Sequence, residues 1–114
     1  MTNNLSTILQ NKKALTKNEI KDILKPIFPK YRIKRAAMFG SYARGDFTTA
    51  SDIDIIVELD YEHPLTEALY GFWDDAEANL GFTVDLLSFN SLNESTKQKF
   101  KRQVLDELEW FYEA

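Results

Sequence analysis

The sequence predicts an α/β (α+β) domain in which helices flank a small mixed β-sheet. Three observations carry that expectation. Apolar residues recur at helical spacing before residue 30, after Pro64 and after Glu94. Short β-branched or aromatic runs stand between them, at Ile33 to Phe39, Ser51 to Leu59 and Phe82 to Phe89. The segment between the second and third runs is long enough for the helical crossover that joins parallel strands.

Each element has its own signal. Leu5, Ile8 and Leu9 suggest a short, weak N-terminal helix. Thr16 and Glu19 form a capping-box pair, with Leu15 and Ile20 as a hydrophobic staple. Ile20, Ile23, Leu24, Ile27 and Phe28 continue as an apolar stripe, and Pro26 kinks its last turn or ends it near Lys25. The strand from Ile33 closes at Gly40-Ser41, and SDIDIIVEL (Ser51 to Leu59) is the clearest strand. Pro64 opens a helix that runs to about Asn79 and stops at Gly81. The last helix covers about Glu94 to Leu108, with Phe100, Val104, Leu105 and Leu108 on one side. The tail Glu109 to Tyr112 fits either an extension of that helix or an edge strand. The element order is thus α-β-(short α)-β-α-β-α.

A length of 114 residues suits one domain, with residues 16–114 as its body and 1–15 as an extension. An apolar fraction of 44% and a charged fraction of 28% exclude disordered and collagen-like chains. Cysteine is absent, which excludes a disulfide framework, a thiolate zinc site and a cysteine nucleophile. No apolar run reaches the ~20 residues of a membrane span. The start lacks a basic region before an apolar stretch, so a cytoplasmic protein without membrane contact is expected.

The net charge of −4 argues against direct nucleic-acid binding over a broad surface. Charge is segregated along the chain. Lys25 to Arg44 holds six basic residues and no acid, whereas Gly45 to Thr96 holds twelve acids and no Lys or Arg. Such a chain can set a cation-attracting region beside an anion-attracting one. Asp74, Asp75 and Glu77 lie opposite the apolar stripe of their helix. They are expected to be exposed, as part of an acidic surface that docks a basic partner or only maintains solubility.

Asp52 and Asp54 are two residues apart on a strand, so their carboxylates share a face while Ile53, Ile55 and Val57 take the other. Two adjacent carboxylates repel unless a proton or cation lies between them. Oxygen donors of this kind suit magnesium or manganese. Asp85, between Val84 and Leu86, joins the cluster if the third strand pairs beside the second. Gly40-Ser41 at a strand end offers backbone N–H groups and a hydroxyl to a phosphate, and Arg44 follows within one turn. Taken singly, Gly-Ser reads as a plain turn. His63, the only histidine, reads as a surface residue, and Trp73 and the Trp110-Phe111-Tyr112 tail read as core or interface. The run Lys97 to Arg102 reads as a solvated helix face.

The combination is more specific. Gly40-Ser41, ten residues, then Asp52-Ile53-Asp54 reads G-S-x10-D-x-D. The stretch Met38 to Asp46, continued by Ser51 to Val57, resembles the minimal nucleotidyltransferase (MNT) family of the DNA polymerase β-like superfamily. Val84-Asp85-Leu86-Leu87 stands where that family has its third acid. The resemblance covers about Ile20 to Leu108.

It implies the polymerase β-like nucleotidyltransferase fold and a matching chemistry. The phosphates of ATP or another nucleoside triphosphate rest on Gly40 and Ser41, and two magnesium ions (or manganese) sit among Asp52, Asp54 and Asp85. A hydroxyl attacks the α-phosphorus and pyrophosphate leaves, with Asp85 as its base or as a metal ligand only. Small members of the family pair with a HEPN-type toxin, act as its antitoxin and modify a tyrosine on it. The acceptor is then a protein, and a partner chain or a second copy of this one (a homodimer) completes the site. A binding-only antitoxin that keeps its triphosphate site for regulation, or a small-molecule nucleotidyltransferase, are the alternatives.

Overall fold

The computed structural model describes residues 13–59 and 66–114. Readings that fell on residues 1–12 and 60–65, including the N-terminal helix, His63 and Pro64, lie outside them.

The chain begins with α1 (Lys17–Leu24). Its capping box forms as the residue types demand: the Thr16 hydroxyl accepts from the Glu19 N–H at 3.1 Å, and the Glu19 carboxylate accepts from the Thr16 N–H at 2.9 Å. Pro26 ends the helix where expected, with Lys25 at its C-cap. A 3-10 turn, Phe28–Tyr31, leads into β1 (Ile33–Phe39). Then come α2 (Gly40–Arg44), β2 (Ile53–Leu59) and α3 (Thr66–Leu80). The chain continues through β3 (Val84–Ser88), α4 (Phe89–Glu94), α5 (Gln98–Glu107) and β4 (Glu109–Glu113).

The four strands form one mixed sheet in the order β3-β2-β1-β4. β1 runs antiparallel to both neighbours, while β2 and β3 are parallel and joined by α3. β2 is central and alternates between two cores. Ile53, Ile55 and Val57 face the larger one, with Ile20 and Leu24 of α1 and Phe72 and Ala76 of α3. Ile56 faces a smaller one, with Ala37, Phe39, Leu92 and Val104. Covering both faces explains why β2 is apolar at nearly every position after Asp54.

Two expectations change. A short helix absent from the expected order, α4, precedes the last one: the Ser88 hydroxyl caps it by accepting from the Ser91 N–H at 3.1 Å, and the chain turns at Ser95 before α5. The tail takes the second of its two alternatives, an edge strand paired with β1. Of the apolar side expected on α5, Val104 is buried, but Phe100 and Leu105 are 41% and 43% exposed.

The acidic surplus is also smaller than expected. Asp75 accepts from the Tyr31 hydroxyl at 2.6 Å, and Glu77 accepts from the Val84 N–H at 2.8 Å. Glu58 pairs with Arg35 at 2.9 Å and Asp46 with Arg44 at 3.2 Å. Asp74 alone of the α3 trio is exposed, while Asp75 and Glu77 are partly buried. Trp110 is 43% exposed, and its ring lies beneath the Arg35 guanidinium at 4.3 Å, stacked with Phe89. No described helix is long and apolar enough to cross a membrane.

Candidate active site

The site forms where three strands meet at one end of the sheet. Phe39, the last residue of β1, is the register partner of Asp54, and Asp54 is the register partner of Asp85. The residue after Phe39 therefore lies on Asp54. That residue is Gly40, with φ of +69°, and a Cβ there would collide with the Asp54 carboxylate. Glycine is required both by its backbone conformation and by this close approach. The turn starts α2, whose Tyr42 ring is buried and stacks on Phe47 at 4.1 Å. The helix is held so that Ser41 faces the same hollow as the two carboxylates.

That hollow has a volume of about 320 Å³, near the lower end for small-molecule sites. Gly40, Ser41, Arg44, Asp54 and Asp85 line it together with residues of α5. Five of the six site residues expected from the sequence thus share one cleft. Asp52, which is exposed and precedes β2, does not line it. A larger hollow of about 530 Å³ runs along β4 beside Arg35 and Trp110, but it holds no comparable carboxylate pair.

The carboxylates perturb one another. Burial pushes the Asp54 pKa up to about 7, helped by the charges of Asp85 and Asp52 and by a side-chain hydrogen bond with Asp85, against a smaller opposing effect of Arg44. Asp54 is only partly exposed, whereas Asp85 stands exposed on the edge strand. Among the described residues no three His, Cys, Asp or Glu side chains are gathered tightly enough to enclose an ion. The donor set still fits a hard divalent cation. It offers carboxylate oxygens whose mutual repulsion a positive charge would relieve, with Asp52 within electrostatic reach.

The sequence predicts the helix α5 but gives it no part in the site. Phe100, Gln103 and Glu107 line the cleft. Glu107 accepts from the Gly40 N–H at 2.9 Å and from Arg44 Nη1 at 2.9 Å. A signal for it existed: an acid as the last residue of a helix faces the negative end of the helix dipole, so it needs a compensating partner.

The nucleotidyltransferase domain family matches residues 17–111. A relative from Methanocaldococcus jannaschii, provisionally named a protein adenylyltransferase, is 40% identical over 91 residues, which is 80% of this chain and 97% of the relative. The protein adenylyltransferase MntA of Thermococcus cleftensis is 33% identical over 95 residues, or 80% of this chain and 95% of that one. Among solved structures, a complex of a tri-AMPylated Shewanella oneidensis HEPN toxin with its MNT antitoxin contains a chain of similar fold. Its TM-score is 0.60 at 17% identity, covering 85% of this chain and 72% of that one.

Proposed function

The chain belongs to the nucleotidyltransferase domain family, and we propose that it moves AMP from ATP onto a hydroxyl of a protein, as the antitoxin of a HEPN-type toxin. One observation carries the chemistry: Asp54 and Asp85 stand side by side in the cleft that Gly40 and Ser41 also line. The toxin as acceptor is supported by the relatives named as protein adenylyltransferases and by the fold shared with a chain of the complex between a tri-AMPylated HEPN toxin and its MNT antitoxin.

In this reading the Ser41 hydroxyl and the backbone at Gly40 hold the triphosphate, and Arg44 neutralises part of its charge. Asp52, Asp54 and Asp85 would hold magnesium, which supplies Lewis-acid stabilisation of the phosphoryl oxygens when bound. Asp85, on the open edge of the sheet, meets the acceptor and can take its hydroxyl proton. The acceptor oxygen forms a bond to the α-phosphorus, the bond from that phosphorus to the bridging oxygen breaks, and pyrophosphate carries the electron pair away. An ATP donor accords with the cytoplasmic setting expected from the sequence.

The test uses ATP labelled at the α or the γ position, magnesium and the purified product of the neighbouring reading frame. Label from the α position on the partner, with γ-label recovered in pyrophosphate, is the expected result. Label carried from the γ position would overturn the reaction type. A stable complex that takes up no label would favour a binding-only antitoxin.

A further inference from the structure

The donors assigned to a phosphate already hold an anion of this chain's own. Glu107 ends α5 with its side chain 16% exposed. Its Oε2 accepts from the Gly40 N–H at 2.9 Å, and its Oε1 accepts from Arg44 Nη1 at 2.9 Å and from Gln103 Nε2 at 3.4 Å. The carboxylate therefore bridges the first residue of α2 to its last. Burial opposes its ionisation, but the bonds from Arg44, Gly40 and Gln103 outweigh that and hold Glu107 below the usual carboxylate range. Two residues on, Glu109 is anchored by Lys17 at 2.8 Å and Lys21 at 3.1 Å, which fixes the end of α5 against α1.

A carboxylate and a phosphate present the same features to these donors: negative charge and two oxygens that only accept. A nucleotide cannot use the Gly40 N–H while Glu107 holds it.

We propose that Glu107 is an internal stand-in for a phosphate group and sets the nucleotide affinity of the site, holding the Gly40 N–H and the Arg44 guanidinium until a phosphate displaces it. This rests on the reading of Gly40, Ser41 and Arg44 as the phosphate seat. The apparent affinity is then the intrinsic affinity multiplied by the fraction of molecules in which Glu107 has let go. Glu107→Gln keeps the shape of the side chain and removes the charge that makes it a strong competitor.

The experiment is calorimetric titration with a non-hydrolysable ATP analogue, and separately with inorganic pyrophosphate, in magnesium. It compares the wild type with Glu107→Gln and Asp106→Asn. Asp106 is exposed and adjacent in sequence, so it reports the general effect of removing one negative charge. Both ligands are expected to bind Glu107→Gln about ten-fold tighter than the wild type. Asp106→Asn should change affinity less than about two-fold. Equal or weaker binding by Glu107→Gln, or the same gain in Asp106→Asn, overturns the proposal. A second readout needs no variant: the Glu107 carboxyl-carbon resonance of the wild type should move as the analogue saturates the site. A resonance that stays put while the analogue binds also overturns it. Failure of all three proteins to bind either ligand overturns the phosphate seat itself, an outcome distinct from binding without the Glu107 effect.

Discussion

Asp54 and Asp85 are register partners on parallel strands, so one pleat places both carboxylates at the same end of the sheet. The parallel β2–β3 pair thereby creates a repulsion that the fold carries without offering either side chain a salt bridge among the described residues. The raised Asp54 pKa follows from this arrangement and from burial.

Stability should therefore depend on pH in a defined direction. Folded Asp54 keeps its proton up to about pH 7, whereas an unfolded aspartate loses it near pH 4. The native state binds more protons between those values. The contribution is fully present below about pH 4 and is lost as pH rises through about 7. In EDTA, Asp54→Asn should remove this slope and gain about 1–2 kcal/mol at pH 8, a figure already reduced for the partial exposure of the group. Thermal melts of both proteins at pH 5 and pH 8 check it. Magnesium at pH 8 should raise the wild-type Tm and leave the variant nearly unchanged.

Gly40→Ala should damage fold and site together. The left-handed backbone and the contact with Asp54 leave no room for a methyl group. A loss of about 1–3 kcal/mol is expected from denaturant titration, with nucleotide binding weakened in the fraction that folds.

Ser41→Ala should leave the melting curve in place and weaken binding of a non-hydrolysable ATP analogue by about ten-fold or more. One hydrogen bond to a charged group is worth about 1.5–3 kcal/mol. Calorimetry reads the change directly.

Glu77→Ala tests the support behind Asp85. The Glu77 carboxylate takes the Val84 N–H at 2.8 Å, at the start of the strand that carries Asp85. Losing that acceptor should cost about 1–2 kcal/mol. Glu67→Ala, on an exposed position of the same helix, should cost under about 0.5 kcal/mol by the same denaturant titration.

Local chemistry explains what could be read from the sequence. Thr16 and Glu19 cap α1 through bonds that span three residues, and Pro26 stops it through its own ring. Asp54 and Ile55 declare opposite faces of β2 by alternation alone, and the G-S-x10-D-x-D spacing brings Gly40, Ser41 and Asp54 to one cleft.

Most of what escaped depends on contacts distant in sequence. Ser88 is the exception: it caps α4 through a bond to Ser91, three residues on, from a position that reads equally well as the end of a strand. Glu109 to Glu113 becomes a strand because β1 offers a free edge, a fact of sheet order and not of local propensity. Asp75 and Glu77 look solvated on a helical wheel, yet the Tyr31 hydroxyl and the Val84 N–H reach them. Glu107 lies 67 residues from Gly40, and nothing near it in sequence names its partner.

The most direct test of the account is label transfer by Asp54→Asn. With α-labelled ATP at saturation, magnesium and the partner protein, the wild type should place AMP on the partner. The variant should be slower by at least about a hundred-fold, the scale expected for losing one charge-stabilising group in a reaction centre. It should also melt no lower than the wild type in EDTA. Transfer by Asp54→Asn at the wild-type rate would contradict the assignment of the Asp54–Asp85 pair as the reaction centre.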